Sequence, residues 1–185
     1  MSTAVTSTAA GIASALRRLY FVRFGFAIVW AGLLFVTGRQ LAPVVVVLLV
    51  LYPLFDVTAA VVDARSSRTS GAARGLYGNI AISLVAGIGL AFAATSDIPA
   101  VLRVWGTWAI VAGLIQLVVG ISRRALGGQW AMVLSGGIST LAGTSFILQA
   151  GTPHASLANL AGYALLGGVF FLVSALRLGR AAQRG

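Results

Sequence analysis

The side chains able to do acid–base or charge chemistry are few, and two of them lie in one apolar stretch, 51-LYPLFDVTAAVVDAR-65. Asp56 and Asp63 are two of only three acidic residues in the chain, which contains no glutamate. A charged side chain within a membrane span is costly, so it normally faces the protein interior and has a partner. Arg23, in the preceding apolar segment, is the cation expected to meet Asp56.

Two interpretations of this pair stay open. Arg23 and Asp56 could form a structural ion pair that joins two neighbouring helices, or Asp56 could bind a proton or cation beside the helix distortion expected at Pro53. The positions that correspond to Asp56 elsewhere in the chain are Ala112 and Gly167, so no ring of matching polar groups is expected. This favours the structural pair. Asp63 follows on the same helix face, at the membrane interface, and belongs to the same candidate set.

The remaining residue types exclude several classes of chemistry. The chain has no cysteine, so it can form no disulfide, iron–sulfur cluster or thiolate nucleophile. His154 is its single histidine and cannot build a multi-histidine metal site. No hydrolytic set of residues is present in the sequence. We therefore predict a protein that is not an enzyme, with no catalytic residue, no metal and no cofactor.

The elements that must position these residues are membrane helices. Of the 185 residues 59% are hydrophobic and 9% charged, and apolar runs reach the roughly 20 residues needed to cross a bilayer. The fold class predicted is an all-α membrane protein with six transmembrane helices. A flexible cytoplasmic leader is expected over 1–18 and a basic cytoplasmic tail over 179–185. The predicted spans are 19–37, 41–63, 75–95, 98–121, 129–150 and 155–177.

The arginines predict the orientation. All thirteen basic residues are arginine. They concentrate before the first span, after the second, after the fourth and after the sixth, which places both termini in the cytoplasm by the positive-inside rule. Short clusters of this kind suit anionic lipid headgroups, so the net charge of +10 indicates the bilayer and not nucleic acid. The protein is expected in the bacterial cytoplasmic (inner) membrane, with other membrane proteins or further copies of itself as partners.

Three signals recur at a spacing of roughly 55 residues. Each outer turn carries a proline, an aromatic residue follows it in the next helix, and an Ala–Gly step lies in the helix before it. The pattern predicts three tandem helical hairpins, all entering the membrane from the same side. The sets are Pro43, Pro99 and Pro153; Tyr52, Trp108 and Tyr163; and Ala31–Gly32, Ala86–Gly87 and Ala142–Gly143. The predicted repeats cover about 19–65, 75–123 and 129–178, together a single six-helix domain over 19–178.

Glycines at helical spacing are expected to let the helices approach closely, because lipid removes the hydrophobic drive for association. The glycines predicted to pack are Gly32, Gly87, Gly106, Gly113, Gly120, Gly136, Gly143 and Gly168.

The repeated units 52-YPLFDV-57, 108-WAIVAG-113 and 163-YALLGG-168, together with 122-SRRALGGQWAMVLSGGISTLAG-143, resemble the HdeD family of bacterial inner-membrane proteins. The likeness covers roughly 19–178. It implies six spans and a role in envelope or acid-stress resistance, and it supplies no catalytic or ligand-binding residues. The function expected is a non-enzymatic multi-pass protein that acts through membrane partners or self-assembly. The alternative is a small proton, ion or solute permease that uses Asp56.

Overall fold

The computed structural model describes residues 2–66, 73–122 and 130–182, and within them all regular secondary structure is helical. Six helices follow one another along these residues. They are α1 (Ser2–Thr37), α2 (Pro43–Ser66), α3 (Ala73–Ala93), α4 (Ile98–Ser122), α5 (Trp130–Gln149) and α6 (Ala158–Ala182).

Within the described residues, five helices are long and apolar enough to cross a bilayer. The part of α5 whose side chains are described, Val133–Gln149, is apolar but shorter. The chain therefore has the helix content of a multi-pass membrane protein. The five candidate spans are Ser14–Thr37, Pro43–Val62, Gly75–Ala93, Ile98–Val118 and Ala158–Arg177.

The first and last helices run further than the sequence predicted. Residues 2–18 were expected as a flexible leader, but they continue α1, which begins at Ser2. Alanine is the strongest helix former and is frequent in this segment, so it can extend a helix that the following span already nucleates. At the other terminus α6 continues to Ala182, into the expected tail.

The helices form a ring in which extensively packed pairs of neighbouring helices alternate with less extensively packed pairs. The most extensive contacts are between α4 and α5, α1 and α6, and α2 and α3. The pairs joined by the turns 38–42, 94–97 and 150–157 pack less extensively, and α5 with α6 least of all. Each predicted hairpin thus makes its closest contacts with a helix outside the hairpin.

The two ends of this ring differ. We call the end that carries the three turns the turn end, and the opposite end, with Arg17, Arg18, Arg177 and Arg180, the arginine end. The main hydrophobic core lies toward the turn end, where residues flanking all three turns join one buried cluster. Its fully buried members include Leu34, Val45, Leu90, Val101 and Leu157. This core fixes the ends of the helices nearest the turns.

Four of the predicted packing glycines meet across α4 and α5. A Cβ added to Gly106 would lie 2.6 Å from the carbonyl oxygen of Gly143, and one added to Gly113 would lie 2.6 Å from that of Gly136. Because these neighbours are backbone atoms, no side-chain movement could make room. The absence of a side chain at these positions is what allows the two backbones to touch.

Of the other four predicted glycines, two lie in looser contacts. Gly168 on α6 faces Ala27 of α1 at 3.1 Å from an added Cβ, and Gly87 on α3 faces Leu54 and Pro53 of α2. Gly32 is exposed, and no described atom lies within 4 Å of a Cβ built on it, so it makes no packing contact among the described residues. The surroundings of Gly120 fall outside those described.

The inward positions of α1 explain why Gly32 turns away from the other helices. Buried residues in the odd-numbered helices recur with the same internal spacing: Ala27, Ala31 and Leu34; Ser83, Gly87 and Leu90; Ser139, Gly143 and Phe146. Ala31 thus takes the inward place in α1 that glycine takes in α3 and α5, and Gly32 is turned outward. Matching the Ala–Gly steps by sequence put α1 one residue out of register.

The turn prolines also differ from one another. Pro43 begins α2 and Pro99 is the second residue of α4, where a missing N–H removes no helical bond. Pro153 lies in the turn, several residues before α6 begins at Ala158. The third proline therefore lies within its turn and does not begin a helix.

Candidate functional site

The Asp56 carboxylate is the centre of a polar site inside the ring of helices. A guanidinium N–H of Arg23 donates to its Oδ1, forming an ion pair in which the two side chains are only 16% and 14% exposed. The other carboxylate oxygen, Oδ2, accepts from Asn79 Nδ2 at 2.6 Å and from Ser83 Oγ at 3.0 Å. We call these four residues the carboxylate site; their side chains come from α1, α2 and α3.

The sequence positions these groups by simple helix geometry. Asn79 and Ser83 are four residues apart on α3, so their side chains lie on one face and can reach the same oxygen. Asp56 lies one turn after Pro53, a buried proline inside α2 that cannot donate a hydrogen bond to the carbonyl of Leu49. One residue earlier, the carbonyl of Leu48 accepts from Trp30 Nε1 at 2.6 Å, so α1 also holds the backbone of α2 near its proline.

The site extends to two further helices. The Arg23 guanidinium lies over the ring of Phe171 on α6, with 4.4 Å between its carbon and the ring centroid, a cation–π contact. The fully buried Ser83 donates to Asp56 and accepts from Trp108 Nε1 on α4 at 3.1 Å. One hydroxyl can serve as donor and acceptor together, so Ser83 links α4 to the carboxylate.

A second serine forms a similar contact in the remaining pair of helices. Tyr163 on α6 donates its hydroxyl to Ser139 Oγ on α5 at 2.8 Å. This contact and the Trp108–Ser83 bond both join a serine of an odd-numbered helix to an aromatic residue of the helix that follows. The corresponding inward residue of α1 is Ala27, which has no hydroxyl. In this hairpin the polar side chain is instead Asp56, on α2.

A group of four aromatic rings lies between the carboxylate site and the turn end. This aromatic cluster consists of Trp30, Tyr52, Trp105 and Trp108, whose contacting ring centroids are 4.6 to 6.1 Å apart. Trp30 and Trp105 are 1% and 0% exposed. The rings fill the interior next to Asp56 on that side, so the carboxylate is closed off from the turn end in this conformation.

The geometry suits an ionised carboxylate, which only accepts hydrogen bonds. One guanidinium compensates its charge, and one amide and one hydroxyl occupy its other oxygen. A carboxylate with this set of donors cross-links helices. The same residues also provide the polar surroundings that a bound proton or cation would need, which keeps both sequence-based interpretations of Asp56 in view.

The sequence put Arg23 opposite Asp56, and the structure brings their side chains into contact. Asp63 lies in α2, but its side chain falls outside the described residues. The sequence analysis assigned neither Asn79 nor Ser83 as a partner of Asp56. The available signal was the spacing of Ser83 four residues after Asn79, on a helix that must face α2. Among the described residues, no cluster of three potential metal ligands occurs.

Comparison with known proteins gives no match, whether the chain is set against protein-family models, curated proteins or solved structures.

Proposed function

We propose that this protein is a non-enzymatic, multi-pass component of the bacterial cytoplasmic membrane that acts through membrane partners or self-assembly. In this proposal the chain crosses the membrane six times as three tandem hairpins, with both termini in the cytoplasm. The resemblance of its repeated units to the HdeD family points to a setting of envelope or acid stress.

The observation that carries the proposal is the complete engagement of Asp56. Arg23, Asn79 and Ser83 together occupy both oxygens of the one carboxylate that lies within a span with a described side chain. The aromatic cluster fills the interior on the side of the turn end. A charged group within a span is costly, and here the charged pair is used to hold helices together. This arrangement suits a scaffold.

The outward glycines of α1 supply a face for association. Gly25 and Gly32 are both exposed, lie seven residues apart on one side of the helix, and have no described atom within 4 Å of an added Cβ. Small residues on a lipid-facing helix allow a second helix to approach its backbone. This face is where a partner helix or a second copy would lie.

The test is to extract the intact chain in native membrane discs and to identify what co-purifies, by native gel electrophoresis and mass spectrometry. We expect a homo-oligomer or a defined set of membrane proteins, and we expect the double variant Gly25→Leu, Gly32→Leu to lose them. The control is Gly137→Leu on α5, which also has no described atom within 4 Å of an added Cβ. A chain that stays a solitary monomer in discs, with no crosslinked neighbour in cells, would contradict the proposal.

A second candidate, a small proton or ion permease, is favoured by one observation: a carboxylate lies within a span, one turn from a proline, with polar neighbours. Its test is flux in proteoliposomes under a pH gradient, comparing the wild type with Asp56→Asn. A permease requires flux in the wild type that the variant loses. If neither protein passes protons or small ions, the permease is excluded and the scaffold stands.

A further inference from the structure

We infer that the arginine end carries a binding site for the phosphate headgroup of an anionic phospholipid, built where α1 and α6 cross. The site consists of Arg17 on α1 and Gly179 and Arg180 on α6, with Arg18 beside it. It rests on the proposed placement in a membrane, and it is independent of the stress role, the partner proteins and the sidedness.

The first step is the position of Arg17. The carbon and two nitrogens of its guanidinium lie 3.0 to 3.2 Å from where a Cβ of Gly179 would be, so the planar group lies directly against the backbone of α6. Its carbon is also 5.7 Å from the ring centroid of Phe21, one turn along α1. Glycine at 179 makes room for the guanidinium, and two helices fix its position.

The second step is the charge around it. Arg17, Arg18 and Arg180 are exposed, and Arg180 directly follows the glycine that Arg17 contacts. The chain has three acidic residues. Asp56 contacts Arg23, Asp97 lies at the turn end and binds the backbone N–H of Ala100, and the side chain of Asp63 is outside the described residues. The arginine end therefore carries a positive charge that neither Asp56 nor Asp97 compensates.

The third step is the depth of these arginines in the proposed membrane. Charged residues bound the apolar parts of both helices here: Arg17 and Arg18 come before the apolar run of α1, and Arg177 and Arg180 come after that of α6. Further into the spans, Tyr20 lies one turn from Arg17 and Phe171 about two turns from Gly179, and the two rings pair across the same helices with centroids 5.8 Å apart. Guanidinium groups above an aromatic pair at the end of two spans lie at the level of lipid phosphates, where acyl chains can follow the apolar faces of the same helices.

An arginine fits this ligand better than a lysine would. The planar guanidinium presents several N–H donors that match two phosphate oxygens at once, and it loses less hydration than an ammonium on binding. Two arginines on different helices can therefore hold one phosphate in a defined place. This differs from the diffuse attraction that any positive surface exerts on an anionic membrane.

The experiment uses the intact protein in detergent with defined lipids added, and native mass spectrometry counts the lipids retained. The probes are phosphatidylglycerol, phosphatidylcholine and inorganic phosphate. We expect a preference for phosphatidylglycerol over phosphatidylcholine, and a loss of about thirtyfold in that preference in the double variant Arg17→Gln, Arg180→Gln. The double variant Arg39→Gln, Arg103→Gln removes the same charge at the turn end and should retain the preference.

A charge-neutral variant separates a positioned site from bulk charge. Gly179→Leu keeps every arginine but puts a side chain where the Arg17 guanidinium lies, and because that guanidinium ends a flexible side chain it can move aside without unfolding the helix. We expect this variant to lose about fivefold in preference. The site would be overturned if Gly179→Leu kept the full preference for phosphatidylglycerol. It would also be overturned if the double variant Arg39→Gln, Arg103→Gln lost as much preference as Arg17→Gln, Arg180→Gln.

The two lipid probes show which part of the proposal fails. Equal retention of phosphatidylglycerol and phosphatidylcholine would overturn the headgroup site and leave the membrane placement intact, whereas retention of neither lipid would contradict the placement itself. If inorganic phosphate displaces phosphatidylglycerol at equal concentration, the ligand is a free anion and the assignment to a lipid is wrong.

Discussion

The α4–α5 interface and the contacts among α1, α2 and α3 hold the same ring of helices together by opposite means. Between α4 and α5, glycines replace side chains, and backbone atoms of the two helices come into direct contact. Around Asp56 the helices are joined through their side chains, by an ion pair and by hydrogen bonds from an amide and a hydroxyl. One region depends on shape alone and the other on charge and hydrogen bonds.

The difference teaches where each kind of contact tolerates change. Backbone contact at glycine fails as soon as any side chain is added, because the obstructing atoms are carbonyl oxygens that cannot move independently. A polar bridge fails when one partner is removed and the other remains, because a lone polar group in an apolar surrounding is costly. Removing all partners together leaves nothing unsatisfied.

The largest effect is expected from adding a side chain to the glycine interface. Gly113→Leu would place atoms against the Gly136 carbonyl and Thr140, and we expect it to lower the free energy of unfolding by about 3 kcal/mol or more. Thermal unfolding in mild detergent, followed by circular dichroism, measures the change. Gly162→Leu, at an exposed glycine of α6 with no described atom within 4 Å of an added Cβ, should leave the midpoint unchanged, and an equal loss in both variants would refute the interface.

Next in size is the removal of one charge from the carboxylate site. Asp56→Ala leaves Arg23 without its counter-charge, and we expect a loss of about 2 kcal/mol in the same unfolding measurement. The double variant Arg23→Met, Asp56→Leu removes both charges and should recover part of that loss, because Asn79 and Ser83 still lack the oxygen that accepts from them. A double variant less stable than Asp56→Ala would show that the pair stabilises the fold beyond mutual compensation of charge.

A smaller effect is expected at Ser83, which bridges Asp56 and Trp108. Ser83→Ala removes both hydrogen bonds and should cost about 1.5 kcal/mol, near the upper end for polar contacts between membrane helices. Unfolding of Ser145→Ala, an exposed serine on α5, provides the matched control. If the two alanine variants unfold alike, Ser83 does not link α4 to the carboxylate.

The smallest effect is expected at the α5–α6 pair. Tyr163→Phe removes a hydroxyl that makes one bond, to Ser139, and should cost about 0.6 kcal/mol. Ser139→Ala should cost about the same, and the two losses should not add, because both variants delete the same bond. Tyr77→Phe, at an exposed tyrosine on α3, should be neutral. Full additivity of the first two would mean that each group has another partner.

Much of this arrangement could be predicted from particular residues. The rarity of acidic side chains drew attention to Asp56, and the positions of Asp56 and Arg23 in consecutive antiparallel spans gave the partner. Glycines at helical spacing predicted a packing face on α4 and another on α5, but not that the two faces meet. The alignment at Gly32 relied on the local Ala–Gly pattern alone. Arg23, which must face Asp56, marks the inward side of α1, and a residue nine positions later lies on the opposite side of the helix.

Ser83 was missed for a related reason. A serine in an apolar helix can bond to its own backbone four residues earlier, as Thr140 and Thr144 do in α5, so its presence alone does not indicate a tertiary partner. Only the distance between α3 and α2 decides that its hydroxyl reaches Oδ2 of Asp56.

The sequence by itself determined that the chain is helical and apolar enough for a membrane, that its charges concentrate at one end, and that one carboxylate within the spans needs a partner. These follow from composition and spacing, because the bilayer demands long apolar helices and penalises lone charges. The tertiary structure alone decided which helices touch most closely and that Asn79 and Ser83 complete the surroundings of Asp56. Those features depend on the rotation and separation of whole helices, which no local pattern of residues specifies.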